Sequence, residues 1–144
     1  MQRRTLENLP GWALAMLRDE RVGRLGMTDD DGAPRVLPVT FALHDGALWS
    51  AVDNKPKRSA EPARVRWLRA RPRAALTVDR YDDDWARLAW VQVLGEVALL
   101  DVGSEPGALA ALGAKYPRYR EDPPPGPLLR LTPERALCWD AASR

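Results

Sequence analysis

Apolar residues at Leu6, Leu9, Ala13, Met16 and Leu17 recur at near-helical spacing and predict a helix over 6–18, with Asn8 before Leu9-Pro10 as an alternative start. The period then falls towards two. Residues 22–27 predict a short strand, closed by the turn-rich TDDDGAP. Over 35–43 the alternation places Leu37, Val39, Phe41 and Leu43 on one face of a single strand. His44-Asp45-Gly46 predicts a tight turn into a partner strand over 47–52, with His44 as a surface residue on the hairpin flank. A helix is expected from Ser59–Glu61 to about Ala70, with Pro62 in its first turn and Arg71-Pro72 as its stop. Strands follow over 73–81 and 90–100, separated by the polar loop 82–86. Gly95 and Pro133 are candidate bulge positions. A helix over 104–115, with Ser104 as N-cap, leads through the rigid DPPPGP tract to a last strand over 128–139. Six strands with meander-like connections and three helices predict one mainly β domain over 1–144, a small antiparallel barrel with helices at its ends.

Charge changes this picture only locally. The net charge is +2, yet residues 53–73, DNKPKRSAEPARVRWLRARPR, hold eight basic residues against Asp53 and Glu61. Acidic runs at 29–31 and 82–84 offset them. Nucleic-acid binding would call for a basic excess over the whole domain and for cations gathered on one helix face. Arg64, Arg66 and Arg69 instead surround a narrow apolar face of Ala60, Ala63, Trp67 and Leu68, so Arg64 onward is expected to be a solvated surface. Lys55, Lys57 and Arg58 differ, because they lie where a strand gives way to a helix N-terminus. Free N–H groups, the helix dipole and the Ser59 hydroxyl would there make a compact anion pocket. A basic turn with no ligand is an equally open reading of the same residues.

The chain has one cysteine, Cys138, and one histidine, His44. That pair excludes an internal disulfide and disfavours a thiolate–imidazole metal site or a nucleophile–histidine hydrolase, so no metal is expected and a reducing, cytoplasmic compartment is. No apolar run approaches the ~20 residues of a membrane span.

The segments PRVLPVTF (34–41), HDGALW (44–49), DNKPKRS (53–59), WLRARPRAALTVD (67–79), WVQVLGEV (90–97) and RLTPERALCWD (130–140) together resemble the split β-barrel flavin and deazaflavin oxidoreductases, the pyridoxamine 5′-phosphate oxidase-like superfamily. Within it the chain is most similar to the F420-dependent branch. The resemblance implies a six-stranded antiparallel split barrel (the FMN-binding split barrel) that works as a homodimer, with the cofactor in a groove at the dimer interface. It also implies a cofactor-binding set. Arg35 opens the strand motif, and Leu37, Pro38 and Val39 lie along the ring system. Lys55, Lys57, Arg58 and Ser59 form the phosphate end. Trp90 stands where the oxidases carry a glutamine, and Trp139 is an aromatic of the last strand near the interface. Two departures speak against pyridoxamine phosphate oxidation itself: Thr40 stands where the oxidase motif has lysine, and the Arg-x-His element near the C-terminus is missing.

The function implied is hydride transfer between F420 and a small organic substrate. The alternatives are an FMN-dependent enzyme of the same kind and a non-catalytic flavin- or haem-binding barrel. No acid–base residue is assigned, because the cofactor would carry the chemistry. Tyr81, Trp85 and Trp90 are candidate substrate walls, each also readable as a barrel or rim aromatic.

Overall fold

The computed structural model describes residues 6–52 and 61–142. Its elements in chain order are α1 (Gly11–Asp19), β1 (Gly23–Thr28), β2 (Pro34–Val39), β3 (Ala42–His44), β4 (Ala47–Ala51), α2 (Ala63–Ala70), β5 (Arg73–Arg80), β6 (Ala89–Leu100), α3 (Pro106–Lys115), α4 (Arg118–Glu121) and β7 (Leu128–Asp140). The predicted first helix is shorter than expected. A 3₁₀ turn over Leu6–Asn8 precedes it, and extended Pro10 holds its N-cap. Ser104 does not cap α3. It ends a 3₁₀ turn, donates to the Asp101 carbonyl at 2.7 Å, and α3 begins two residues later at Pro106.

All strand pairs are antiparallel, in the order β2-β1-β5-β6-β7-β4-β3. The β1–β2 turn is tied by the Asp29 carboxylate, which accepts from the amides of Asp31 and Ala33 at 3.0 and 2.9 Å. Between β3 and β4, Asp45 (φ 50°) and Gly46 (φ 71°) both take positive φ, as a two-residue type I′ hairpin requires.

The single strand expected over 35–43 is two strands, which makes seven rather than six. β2 and β3 form opposite edges of the sheet, yet only Thr40 and Phe41 separate them. The sheet must therefore roll up until its edges meet, and no ladder joins them, which is the split in the barrel. Side chains hold this crossing where strand pairing does not. The Ser50 hydroxyl donates to the Thr40 carbonyl at 2.6 Å. The Tyr116 hydroxyl accepts from the Phe41 amide at 3.1 Å and shares its own hydrogen between the Arg21 carbonyl (2.9 Å) and the Phe41 carbonyl (3.1 Å).

The barrel interior is the main core. Leu25, Leu76, Val91, Val93, Leu131 and Phe41 fill it, and α1 and α2 cover it with Met16, Leu17, Val65 and Leu68. β4 is buried along its whole length. Its outer face packs Trp49 and Ala51 against Ala108 and Leu112 of α3 and Tyr119 of α4. Both expected bulge positions occur at one place. Leu94 pairs with Arg135 and Gly95 with Pro133, which leaves Glu134 as the extra residue. A Cβ on Gly95 would lie 1.9 Å from the Thr132 carbonyl oxygen, so only glycine fits. No helix among the described residues is long and apolar enough to cross a membrane.

Candidate functional site

α2 decides which cation reaches the barrel edge. Pro62 is extended (φ −57°, ψ 144°), and its carbonyl takes the first helical bonds, from Val65 and Arg66 at 3.0 and 3.3 Å. The helix therefore starts about four residues later than Ser59, and Arg64 rather than Arg58 sits in its first turn. Arg64, Trp67 and Arg71 follow one another at i, i+3 and i+7 on one side of the helix. The Arg71 guanidinium donates to the Asp29 carbonyl at 2.8 Å. Trp67 lies under the Arg35 guanidinium, 4.6 Å from ring centroid to Cζ, and Arg35 is also 3.6 Å from the Asp29 carboxylate. Arg66 grips Asp30 with two bonds, at 2.8 and 3.1 Å, and Arg69 pairs with Glu61.

The acidic run of the β1–β2 turn is thus the partner of the basic helix: Arg66 and Arg71 are exposed, as expected, but paired to that turn, and the expectation of a solvated surface is corrected for Arg64. Hydrogen bonds from the Ala33 and Asp31 amides, opposed in part by burial and aided by Arg35, hold the Asp29 carboxyl below its ordinary value. Arg64 is the exception on this helix. It has no ion-pair partner among the described residues and is half-buried.

Arg64 lines a cleft of about 220 Å³ with Val22, Pro38, Val39, Thr40 and Ala51. The cleft lies at the C-terminal end of β2, where the chain crosses into β3. Two of the expected ring-lining residues, Pro38 and Val39, are on its wall. Leu37 is not among its lining residues. It packs against the barrel core. Arg35, three positions back along β2, is on the α2 side with Trp67 rather than in the cleft. Lys55, Lys57, Arg58 and Ser59 lie outside the described residues. Ala51 and Arg64, which bracket that segment in the chain, both line the cleft.

Sequence reasoning placed Arg64 on a solvated surface because the arginines surround a narrow apolar face, and a helix expected to start at Ser59–Glu61 put other residues in its first turn. Pro62 was the available signal, since proline suits an N-cap as well as a first turn. Thr40 and Tyr119 were also missed as a unit. The Thr40 hydroxyl is 2.7 Å from the Tyr119 hydroxyl of α4, a partner 79 residues away.

Trp90 and Trp139 face each other across β6 and β7. They share the outer face of the sheet with Pro38 but lie three and four strands from it, roughly 14 and 19 Å along the curved sheet. One copy of the chain does not bring them to the cleft. Trp90 is 37% exposed, and Val22 (47%) and Val36 (64%) are open on the same face. Tyr81 and Trp85 project from the loop beyond β5, at 70% and 69% exposure. His44 is not a free surface residue: it is half-buried against α3, so that a Cβ on Gly107 would come within 2.8 Å of its Nε2.

Residues 11–140, nearly the whole described chain, match the pyridoxamine 5′-phosphate oxidase family. The chain belongs to that family. Among curated proteins none matches it. Solved structures share the split-barrel fold of the family. A conserved hypothetical protein from Mycobacterium tuberculosis superposes with a TM-score of 0.73 at 18% identity, over 98% of this chain and 91% of its own. An FAD-binding protein from Mesorhizobium loti gives 0.66 at 24% identity, over 90% and 94%. A protein described as an F420 reductase gives 0.65 at 20% identity, over 90% and 98%. At such identities the likeness speaks for the fold. Family membership sets the chain among the pyridoxamine 5′-phosphate oxidase-like split barrels. The choice of cofactor rests on the residues of the cleft.

Proposed function

We propose that this protein is an F420-dependent oxidoreductase of the pyridoxamine 5′-phosphate oxidase family, acting as a cytoplasmic homodimer on a small organic substrate. The observation that carries the reading is the cleft at the end of β2, where an arginine in the first turn of a helix, with no ion-pair partner among the described residues, stands beside an apolar strand wall. A guanidinium at a helix N-terminus suits a phosphate. Pro38 and Val39 suit the flat, apolar part of a ring system. Lys55, Lys57, Arg58 and Ser59 complete the anion end in this reading.

Bound there, a reduced deazaflavin supplies a hydride. The chain's part is to hold the phosphate through Arg64, to align the ring along β2 and to exclude water. Among the described residues lining the cleft no side chain is an acid or a base that must titrate, and in this reading solvent would supply the proton for the reduced product.

At about 220 Å³ the cleft is smaller than the ~300–1,000 Å³ of a complete small-molecule site. A second copy would supply the missing walls. The outer sheet face offers it exposed Val22 and Val36 beside Pro38, and Trp90 three strands away across the Arg24–Asp79 ion pair. Trp139, opposite Trp90, would then approach the cleft of the partner. His44 is held against α3, away from the cleft, which leaves a haem placed there without a histidine ligand.

The test is turnover. Purified protein with reduced F420 and a panel of quinones and enones should oxidise the cofactor. Binding without turnover would favour a carrier, turnover with FMN alone would replace F420 in the proposal, and no binding of either would refute it.

A further inference from the structure

Asp29 closes the β1–β2 turn and also reaches beyond it. Its amide donates to the Ala33 carbonyl at 2.9 Å, and its carboxylate accepts from the amides of Asp31 and Ala33. The same carboxylate is 3.6 Å from the Arg35 guanidinium, which covers the Trp67 ring. Its carbonyl accepts from the Gly32 amide at 3.0 Å and from the Arg71 guanidinium at 2.8 Å. One residue therefore ties the turn, the start of β2, and the middle and the C-terminal end of α2 together.

These ties order α2 against β2. Arg71 meets Asp29 ahead of the strand, Trp67 meets Arg35 near its start, and Arg64 shares the cleft with Pro38 and Val39 at its end. The helix thus runs opposite to β2, with the stripe Arg64, Trp67 and Arg71 towards the hairpin. Val65 and Leu68 of α2 are buried in the core. Such apolar packing scales with area and has little direction, so it leaves an eight-residue helix free to roll or slide slightly. Hydrogen bonds weaken steeply with misalignment and remove that freedom. The Arg66–Asp30 pair joins the same turn, but its side chains are 53% and 51% exposed, and solvent screens them. The weight falls on Asp29, whose side chain is only 13% exposed.

We propose that Asp29 is a positioning residue for the cleft: it sets the roll and height of α2 against β2, and with them the place of the Arg64 guanidinium. The inference rests on the oxidoreductase reading for the anion that Arg64 holds, whereas the setting of α2 does not depend on it. It also fixes a sign. By charge alone, removing an acidic group near an anion site tightens anion binding. If Asp29 acts through Arg64, removing it weakens binding, because a misplacement of about 1 Å spoils a directional contact.

The experiment takes the wild type, Asp29→Asn, Asp29→Ala and Arg71→Ala, each with and without Arg64→Ala and each first shown by near-ultraviolet circular dichroism to be folded. Asp29→Asn keeps an oxygen for the two turn amides, and Arg71→Ala leaves the turn intact, so the test survives if Asp29→Ala does not fold. Hydrogen exchange of the free proteins should be faster at the α2 amides in Asp29→Ala and Arg71→Ala and unchanged in β6. F420 affinity should fall about five- to tenfold in Asp29→Ala and Arg71→Ala, and less in Asp29→Asn. In the Arg64→Ala background the same substitutions should cost nothing further, which a general loss of stability would not produce. Unchanged α2 exchange, F420 binding that is equal or tighter without the Asp29 carboxylate, or equal losses with and without Arg64 would overturn the inference. A wild type that binds no F420 removes the oxidoreductase reading and Arg64's anion with it, while α2 exchange still decides whether Asp29 sets the helix.

Discussion

Removing the Arg64 guanidinium isolates the cation of α2 that has no ion-pair partner among the described residues. In Arg64→Ala the cleft keeps Val22, Pro38, Val39, Thr40 and Ala51, but its described charge is gone. A charge-assisted bond from a half-buried guanidinium to phosphate contributes about 1.5–3 kcal/mol, so cofactor affinity should fall roughly 10- to 150-fold. Folding stability should change little, because Arg64 has no ion-pair partner among the described residues to lose. Arg66→Ala is the matched control from the same helix. Its side chain is 53% exposed and its pair with Asp30 lies outside the cleft, so it should cost at most about 1 kcal/mol of stability and leave cofactor affinity unchanged. The assay is fluorescence titration with F420 and with FMN at two salt concentrations, since an anion contact weakens as salt rises. Equal effects of the two substitutions, or a loss in Arg64→Ala that disappears when folded protein alone is counted, would refute the assignment of Arg64 to the phosphate.

Three other outcomes follow from the geometry. Gly95→Ala must push a Cβ against the Thr132 carbonyl, 1.9 Å away, and should destabilise the protein by about 2–3 kcal/mol or more in urea denaturation. A wild-type-like midpoint would mean the bulge is pliable. Lys115 lies over the Phe41 ring at 3.7 Å, and burial, together with Arg21, lowers its pKa from 10.5 to about 8. Between those values the unfolded chain holds more protons than the folded one. Stability should therefore rise with pH from about 8 to 10.5, and Lys115→Met should lose that rise. Burial raises the pKa of Tyr116 instead, which acts in the opposite sense above pH 10 and is read separately. Val36→Glu places a charge on the open outer face without touching the cleft. It should shift a dimer to monomer in light scattering and weaken cofactor binding with it, and an unchanged dimer would place the interface elsewhere.

Much of the fold was legible from local pattern. The β3–β4 turn, the paired bulge at Gly95 and Pro133, and the long strands β6 and β7 each carry their own signal, in a Asp-Gly pair, a mid-strand glycine or alternation. The division of 35–43 carried none. Thr40 and Phe41 fit the alternation as well as their neighbours do. What turns the chain there is a pair of tyrosines 75 and 79 residues further on, which no local window contains. The site was legible in kind but not in register. A helix N-terminus with cations was expected, and one is present, but the extended Pro62 moves it along the chain to Arg64. The acidic turn 29–31 and the basic helix were each visible, whereas their pairing depends on α2 lying along the β1–β2 hairpin, a tertiary fact. Trp90 and Trp139 were named separately, and the sheet register makes them one cross-strand pair.

The most direct measurement is the equilibrium affinity of the wild-type protein for F420, followed by fluorescence and repeated with FMN. Saturable binding of F420, tighter than that of FMN and carried by a dimer, is the predicted result. A protein that leaves both spectra unchanged through the titration would contradict a flavin-type cofactor at the β2 edge.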